Sequence, residues 1–217
     1  MSIDTSSRWL RYLERKIPGL AIPNIAILWV TLQALGFLMV MQDPIWIDRL
    51  ALIPSRVLQG ELWRLITFLS LPVSTSPIWV IFSLWFVYSI LNTIENLWGS
   101  FKTTFYVLMS AVLTLVVSFA LDFPVTQMTD FQSTLFLAAA TLFPDFEILV
   151  YFVLPVKMKW LGWISVAFVF IHFLSTSFDE RIYLLAVYSN YLVFFGPVGY
   201  QRLKQAIRRY QYKQKLK

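Results

Sequence analysis

Ser133 and His172 are the two residues whose types could do chemistry together. A serine hydroxyl is a weak nucleophile until an adjacent base takes its proton, and His172 is the only histidine in 217 residues. The chain has no cysteine, which removes thiol nucleophiles, disulfides and cysteine metal sites, and one histidine cannot build a multi-histidine centre. No metal and no cofactor is therefore expected. Ser133 stands in Phe131-Gln132-Ser133-Thr134 and His172 in Phe170-Ile171-His172-Phe173, with no acidic residue within a turn of the histidine to orient its ring. An intramembrane histidine is a functional candidate by default because burying it is costly. The plainer readings are a histidine bonded to a neighbouring hydroxyl or carbonyl, and a serine that hydrogen-bonds between helices.

The elements that must position these residues are apolar. The chain is 58% hydrophobic and 14% charged with a mean hydropathy of +0.66, whereas a soluble domain is about a quarter charged. Six stretches carry no charge: Ile17–Gln42, Leu65–Ile94, Thr103–Leu121, Phe131–Pro144, Trp160–Phe178 and Ile182–Gln201. A bilayer core needs about 20 apolar helical residues, so an all-α polytopic membrane protein with six transmembrane helices is expected. The fourth stretch, with 14 residues, reaches only about 21 Å. Pro124, Gln127 and Asp130 make a poor lipid-facing extension to it. Irregular backbone at membrane depth must be covered by protein or line a wet cavity. This predicts a short fourth helix ringed by the others and reached from a pit on the outer side. Ala138-Ala139-Ala140-Thr141 suits close contact with a neighbouring helix. Asp130 and Gln132 are placed to line the pit, with a helix-capping role for Asp130 as the alternative.

Charge sets the orientation. With both termini in the cytoplasm, fourteen of the eighteen Lys and Arg residues fall on that side and four on the other, as the positive-inside rule requires. The chain divides into a basic amphipathic segment (1–18), a membrane domain (19–200) and a basic tail (201–217). In the first, Trp9, Leu10, Leu13 and Ile17 oppose Arg8, Arg11, Arg15 and Lys16. In the tail, Leu203, Ala206, Ile207 and Tyr210 share a helical face, with Arg202, Lys204, Arg208 and Arg209 around them. Such a helix lies on an anionic leaflet, each basic residue adding about 1 kcal/mol; a plain topological anchor is the other reading. Membrane lipids are thus expected partners. Nucleic acid is not, since the basic charge flanks spans and forms no reader motif. The first apolar stretch is too long for a signal peptide. The segment Gln42–Ser76 mixes bulky apolar and charged residues, which predicts short helices at the membrane interface. A prokaryotic plasma membrane is the expected location, because the tail shows no eukaryotic retention signal.

Several landmarks, in order, resemble the rhomboid-like superfamily. Gly60-Glu61-Leu62-Trp63-Arg64 is similar to the W-R segment that closes the family's first loop, with Arg64 as its anchor at the interface. Glu95-Asn96-Leu97-Trp98-Gly99-Ser100-Phe101 is similar to its E-x-x-x-G-S-x-x-F passage into span three. Leu142-Phe143-Pro144 and Leu154-Pro155-Val156-Lys157 match its landmarks between spans four and five. The resemblance covers roughly Ile25–Tyr200 and implies a six-helix bundle with both ends inside and span four at its centre. Rhomboid proteases cut within the membrane with a serine in G-x-S-G and a histidine on span six. Here Ser133 remains, but the glycine positions hold Phe131 and Thr134, the histidine position holds Ala186, and the supporting His and Asn of span two are Trp79 and Ser83. The resemblance therefore implies an inactive, derlin-like pseudoprotease that binds transmembrane clients or partner membrane proteins. Two rivals stand beside it. One is a divergent intramembrane serine protease using Ser133 with His172 or another base. The other is a small transporter or channel, disfavoured because no ionisable residue other than His172 falls within a span core.

Overall fold

The computed structural model describes residues 8–150 and 154–215. The amphipathic start forms α1 (Arg8–Lys16) and ends at a 3₁₀ turn, Pro18–Leu20. Leu10 is buried and α1 packs on α7 (Ser100–Leu121). The first long apolar helix is α2 (Ile25–Gln42). The Gln42–Ser76 segment breaks up as expected, into α3 (Ile45–Leu50), α4 (Pro54–Leu58), α5 (Arg64–Thr67) and a second 3₁₀ turn, Phe68–Ser70. Then come α6 (Pro77–Trp98), α7, α8 (Thr129–Leu142), α9 (Met158–Ser175) and α10 (Phe178–Lys215). Among the described residues four helices, α2, α6, α7 and α9, are long and apolar enough to cross a membrane.

Arg64 holds the first loop together. A guanidinium with fixed, forked donors suits several acceptors at once. Its Nε donates to Glu61 Oε2 at 2.5 Å, and Nη1 donates to the carbonyls of Asp48 and of Ala51, the latter at 2.7 Å. These carbonyls close α3, where the last turn has no intrahelical partners. Thr67 Oγ1 adds a bond to the Leu50 carbonyl at 3.2 Å. Arg64 is 2% exposed, so it anchors the loop from within. A backbone bridge between Leu52 and Val125 ties the same loop to the chain ahead of α8.

The Glu95–Ser100 motif has an equally local cause. A single residue, Gly99, separates α6 from α7, and its φ of +83° strains any residue with a Cβ. Glu95 Oε1 accepts from the Asn24 amide at 2.8 Å and from Ser100 Oγ at 2.7 Å. One carboxylate thereby joins the starts of α2 and α7 to the end of α6. Thr104 reinforces the joint, bonding both the amide and the carbonyl of Ile22 at 3.1 and 3.2 Å.

α8 packs against α6, α9 and α10, and Ala138 and Ala139 are completely buried. A Cβ on Gly162 of α9 would stand 2.8 Å from the Ala140 Cβ, so small residues on both helices set this contact. Two features correct the sequence reading. The chain is not purely α-helical: β1 (Glu147–Val150) and β2 (Leu154–Lys157) form an antiparallel hairpin with Glu147 opposite Lys157. Ile148 and Val150 in β1 and Val156 in β2 favour strands, Pro155 opposes helix, and opposite charges at the open end suit cross-strand pairing. The tail is not a separate helix from residue 201. α10 continues through Gly196 and Pro197 to Lys215, carrying Arg202, Lys204, Arg208 and Arg209 on its extension, with Lys204 exposed. Lys, Arg, Gln and Leu are good helix formers, and one internal proline removes only one backbone donor.

Candidate functional site

A polar seam crosses the start of α8. Gln132 Nε2 donates to Gln33 Oε1 of α2 at 3.0 Å, and Ser83 Oγ of α6 donates to Gln132 Oε1 at 3.0 Å. Gln33 is 2% exposed, an unusual state for an amide among apolar helices. Beside it Phe131 turns inward and packs on Trp29, with ring centroids 4.5 Å apart.

The residues singled out by the sequence resemblance have the following surroundings. Ser133 is half-buried and its hydroxyl donates to the Thr129 carbonyl at 3.0 Å, with Tyr188 alongside. Thr134 is fully buried, donating to the Phe131 carbonyl at 2.8 Å and accepting from Tyr106 through its own carbonyl at 3.3 Å. Ala186 is half-buried on α10 and its carbonyl accepts from Ser189 Oγ at 2.7 Å. Trp79 is exposed on the outer surface of α6, whereas Ser83, a turn further on, belongs to the polar seam.

His172 lies in the last turn of α9, half-exposed, with Nε2 3.4 Å from Glu180 Oε1 of α10. Glu180 also accepts from the Thr176 hydroxyl, and Asp130 interacts electrostatically with both His172 and Glu180. The sequence offers His172 no acid within a turn; the fold supplies one because only two residues connect α9 to α10. Asp130 lies within the first turn of α8 instead of capping it: Met128 is the N-cap and no side chain caps there. An acidic residue in that turn is still favoured by the helix dipole.

A cavity of about 360 Å³ opens between α6 and α8. Trp85, Phe86 and Ile90 of α6, Ala139 of α8, Phe143 just past its end, and Met158 of α9 line it, with Glu147 at the hairpin's base. Ser89 and Thr93 also face it, but their hydroxyls turn back to their own helix, onto the Trp85 and Ser89 carbonyls at 2.8 and 2.6 Å. The wall is thus apolar and largely aromatic, as suits apolar guests.

Sequence reasoning missed three things here: the hairpin, the Gln33 partner of Gln132, and the cavity. Gln33 carried a signal, being an amide inside an otherwise apolar helix. The cavity carried none, since it depends on which helices leave the face of α8 uncovered.

The fold and the site together define a multi-pass, mainly helical integral membrane protein. The chain belongs to the family described as eukaryotic integral membrane protein (DUF1751), which matches residues 24–196. No match was found among curated proteins or among solved structures. The family's eukaryotic description counts against the prokaryotic plasma membrane expected from the tail.

Proposed function

We propose that this protein is a rhomboid-like, non-catalytic client binder: a six-span bundle with both ends in the cytoplasm that holds transmembrane helices of other proteins against the side of α8. The observation that carries the reading is the apolar cavity between α6 and α8, with its row of α6 aromatics. A transmembrane helix offers Leu, Ile and Phe side chains at one-turn spacing, and a cavity of this size takes a few of them. In this reading α8 and the membrane part of α10 are the two further spans, and the basic extension of α10 meets the cytoplasmic leaflet.

The absence of proteolysis in this proposal is supported by three arrangements. Phe131 packs on Trp29 and Thr134 is fully buried with its hydroxyl on the Phe131 carbonyl, so side chains stand where the resembled motif has glycines, and oxyanion donors supply a large share of an acyl-transfer rate. Ser133 donates to its own helix. His172 pairs with Glu180.

Capture of a labelled model transmembrane helix by the purified protein in lipid bilayers tests the reading. Binding is expected for the native chain and is expected to fall severalfold when Ser89→Trp fills the cavity. Equal binding by both would remove the cavity from the account.

A further inference from the structure

The cavity between α6 and α8 is apolar along its length and charged at one end. Its α6 wall runs from Phe82 to Thr93, about 16 Å of helix, so about three turns of a second helix can lie beside it. Glu147 is the one charged side chain among the described residues that line it, and it is exposed. Backbone bonds fix its place. The Met158 amide donates to the Phe146 carbonyl at 2.8 Å and the Lys159 amide to the Pro144 carbonyl at 3.0 Å, which docks the base of the hairpin onto the start of α9. Of the two acids at this base, Asp145 pairs with Lys159 Nζ at 3.3 Å. Glu147 makes no ion pair among the described residues, not even with Lys157, its register partner across the hairpin. Lys157 does not line the cavity.

A carboxylate left unpaired beside an apolar, aromatic wall is complementary to a cation on an apolar stem. A Lys or Arg side chain has that form: its methylene stem covers apolar surface while its charged head reaches the polar edge. Phe82, Trp85 and Phe146, all exposed, line the same cavity, and aromatic faces attract such a cation further. In the proposed topology the hairpin lies on the cytoplasmic side, where transmembrane helices carry their Lys and Arg. We infer that Glu147 is a specificity-determining residue that selects transmembrane clients with a Lys or Arg at their cytoplasmic end. The client's apolar turns lie along α6 and its basic flank meets the carboxylate. The inference rests on the client-binding reading and deepens it: the wall supplies general affinity, and Glu147 fixes which end of the client sits at the hairpin.

The test uses the full-length protein in bilayers of phosphatidylcholine, with labelled Leu-rich transmembrane peptides of about 20 residues. Three versions carry paired Lys, Ser or Glu at both ends, so that the direction of insertion does not matter, and energy transfer reports binding. The Lys-flanked peptide is expected to bind roughly two- to fivefold more tightly than the Ser-flanked one, the range of a partly exposed ion pair. Glu147→Gln is expected to erase this preference while leaving Ser-flanked binding unchanged, which shows that the variant is folded. Glu147→Lys is expected to turn the preference toward the Glu-flanked peptide. Lys157→Gln, which removes the cation opposite the carboxylate, is expected to enlarge the native preference. Equal binding of the Lys- and Ser-flanked peptides by the native protein overturns this inference and leaves client capture standing. A preference that survives in Glu147→Gln also overturns it. So does a phosphatidylcholine molecule that the native protein retains through delipidation, that Glu147→Gln loses and that excludes the Lys-flanked peptide, since the carboxylate would then serve a lipid headgroup. Binding of none of the peptides overturns both readings.

Discussion

His172 and Glu180 sit 3.4 Å apart across the junction of α9 and α10. The pair is the ion-pair geometry that the structure gives the chain's only histidine. A Ser–His nucleophile needs the imidazole beside the serine hydroxyl, but Ser133 donates to Thr129 and His172 faces Glu180. With Asp130 interacting from α8, the imidazole helps fasten three helix ends.

His172→Ala is therefore expected to loosen the α9–α10 junction. Hydrogen exchange of Thr176, Ser177 and the amides that follow should quicken, with little change in global stability, since the pair is half-exposed and such pairs contribute about 0.2–1 kcal/mol. Mass-spectrometric exchange in detergent reads this directly. Unchanged protection over the junction would contradict the fastening role.

Arg64→Ala removes the donors that close α3. Charge-assisted hydrogen bonds contribute about 1.5–3 kcal/mol each, so a loss of at least about 2 kcal/mol is expected in thermal unfolding. Arg64→Lys should rescue little, because an ammonium cannot reproduce the fork that reaches Glu61, Asp48 and Ala51. A lysine variant as stable as the native chain would show that charge, not geometry, is what the loop requires.

Gly36→Ala should be more damaging than its size suggests. The added Cβ meets the Ser70 backbone oxygen at 1.9 Å, and neither α2 nor the 3₁₀ turn has a flexible side chain to move aside. Overpacking of this kind costs about 1–3 kcal/mol. Gly19→Ala, with nothing near its Cβ, is the matched control and should unfold at the native temperature.

These contacts also show what could be read from residues alone. The spans at α2, α6, α7 and α9 were legible because continuous apolar runs need no partner to be recognised. Trp63-Arg64 and Glu95–Ser100 were legible as landmarks, but their work was not: it consists of bonds to Ala51 and Asn24, distant in sequence. The β1–β2 hairpin was hidden because short apolar runs do not distinguish strand from buried helix. Likewise, Gln33 and Gln132 could each be noticed, but nothing in the sequence indicates that they face each other.

Orientation has a direct test, made simple by a chain without cysteine. Lys204→Cys and Asp179→Cys place single thiols on exposed positions of α10, one on its basic extension and one at its start. In sealed, right-side-out vesicles, an impermeant maleimide should label Asp179→Cys and spare Lys204→Cys until the membrane is opened. The reverse pattern would invert the proposed topology.

The central claim is that the protein binds transmembrane clients without cutting them. Its most direct test combines both properties in one reaction. The purified protein is incubated in bilayers with an end-labelled transmembrane helix, and bound and cleaved fractions are separated on a gel. Full-length helix should be retained by the native protein, severalfold less by Ser89→Trp, and to an unchanged extent by Ser133→Ala. A labelled fragment that appears with the native protein and vanishes in Ser133→Ala would contradict the claim.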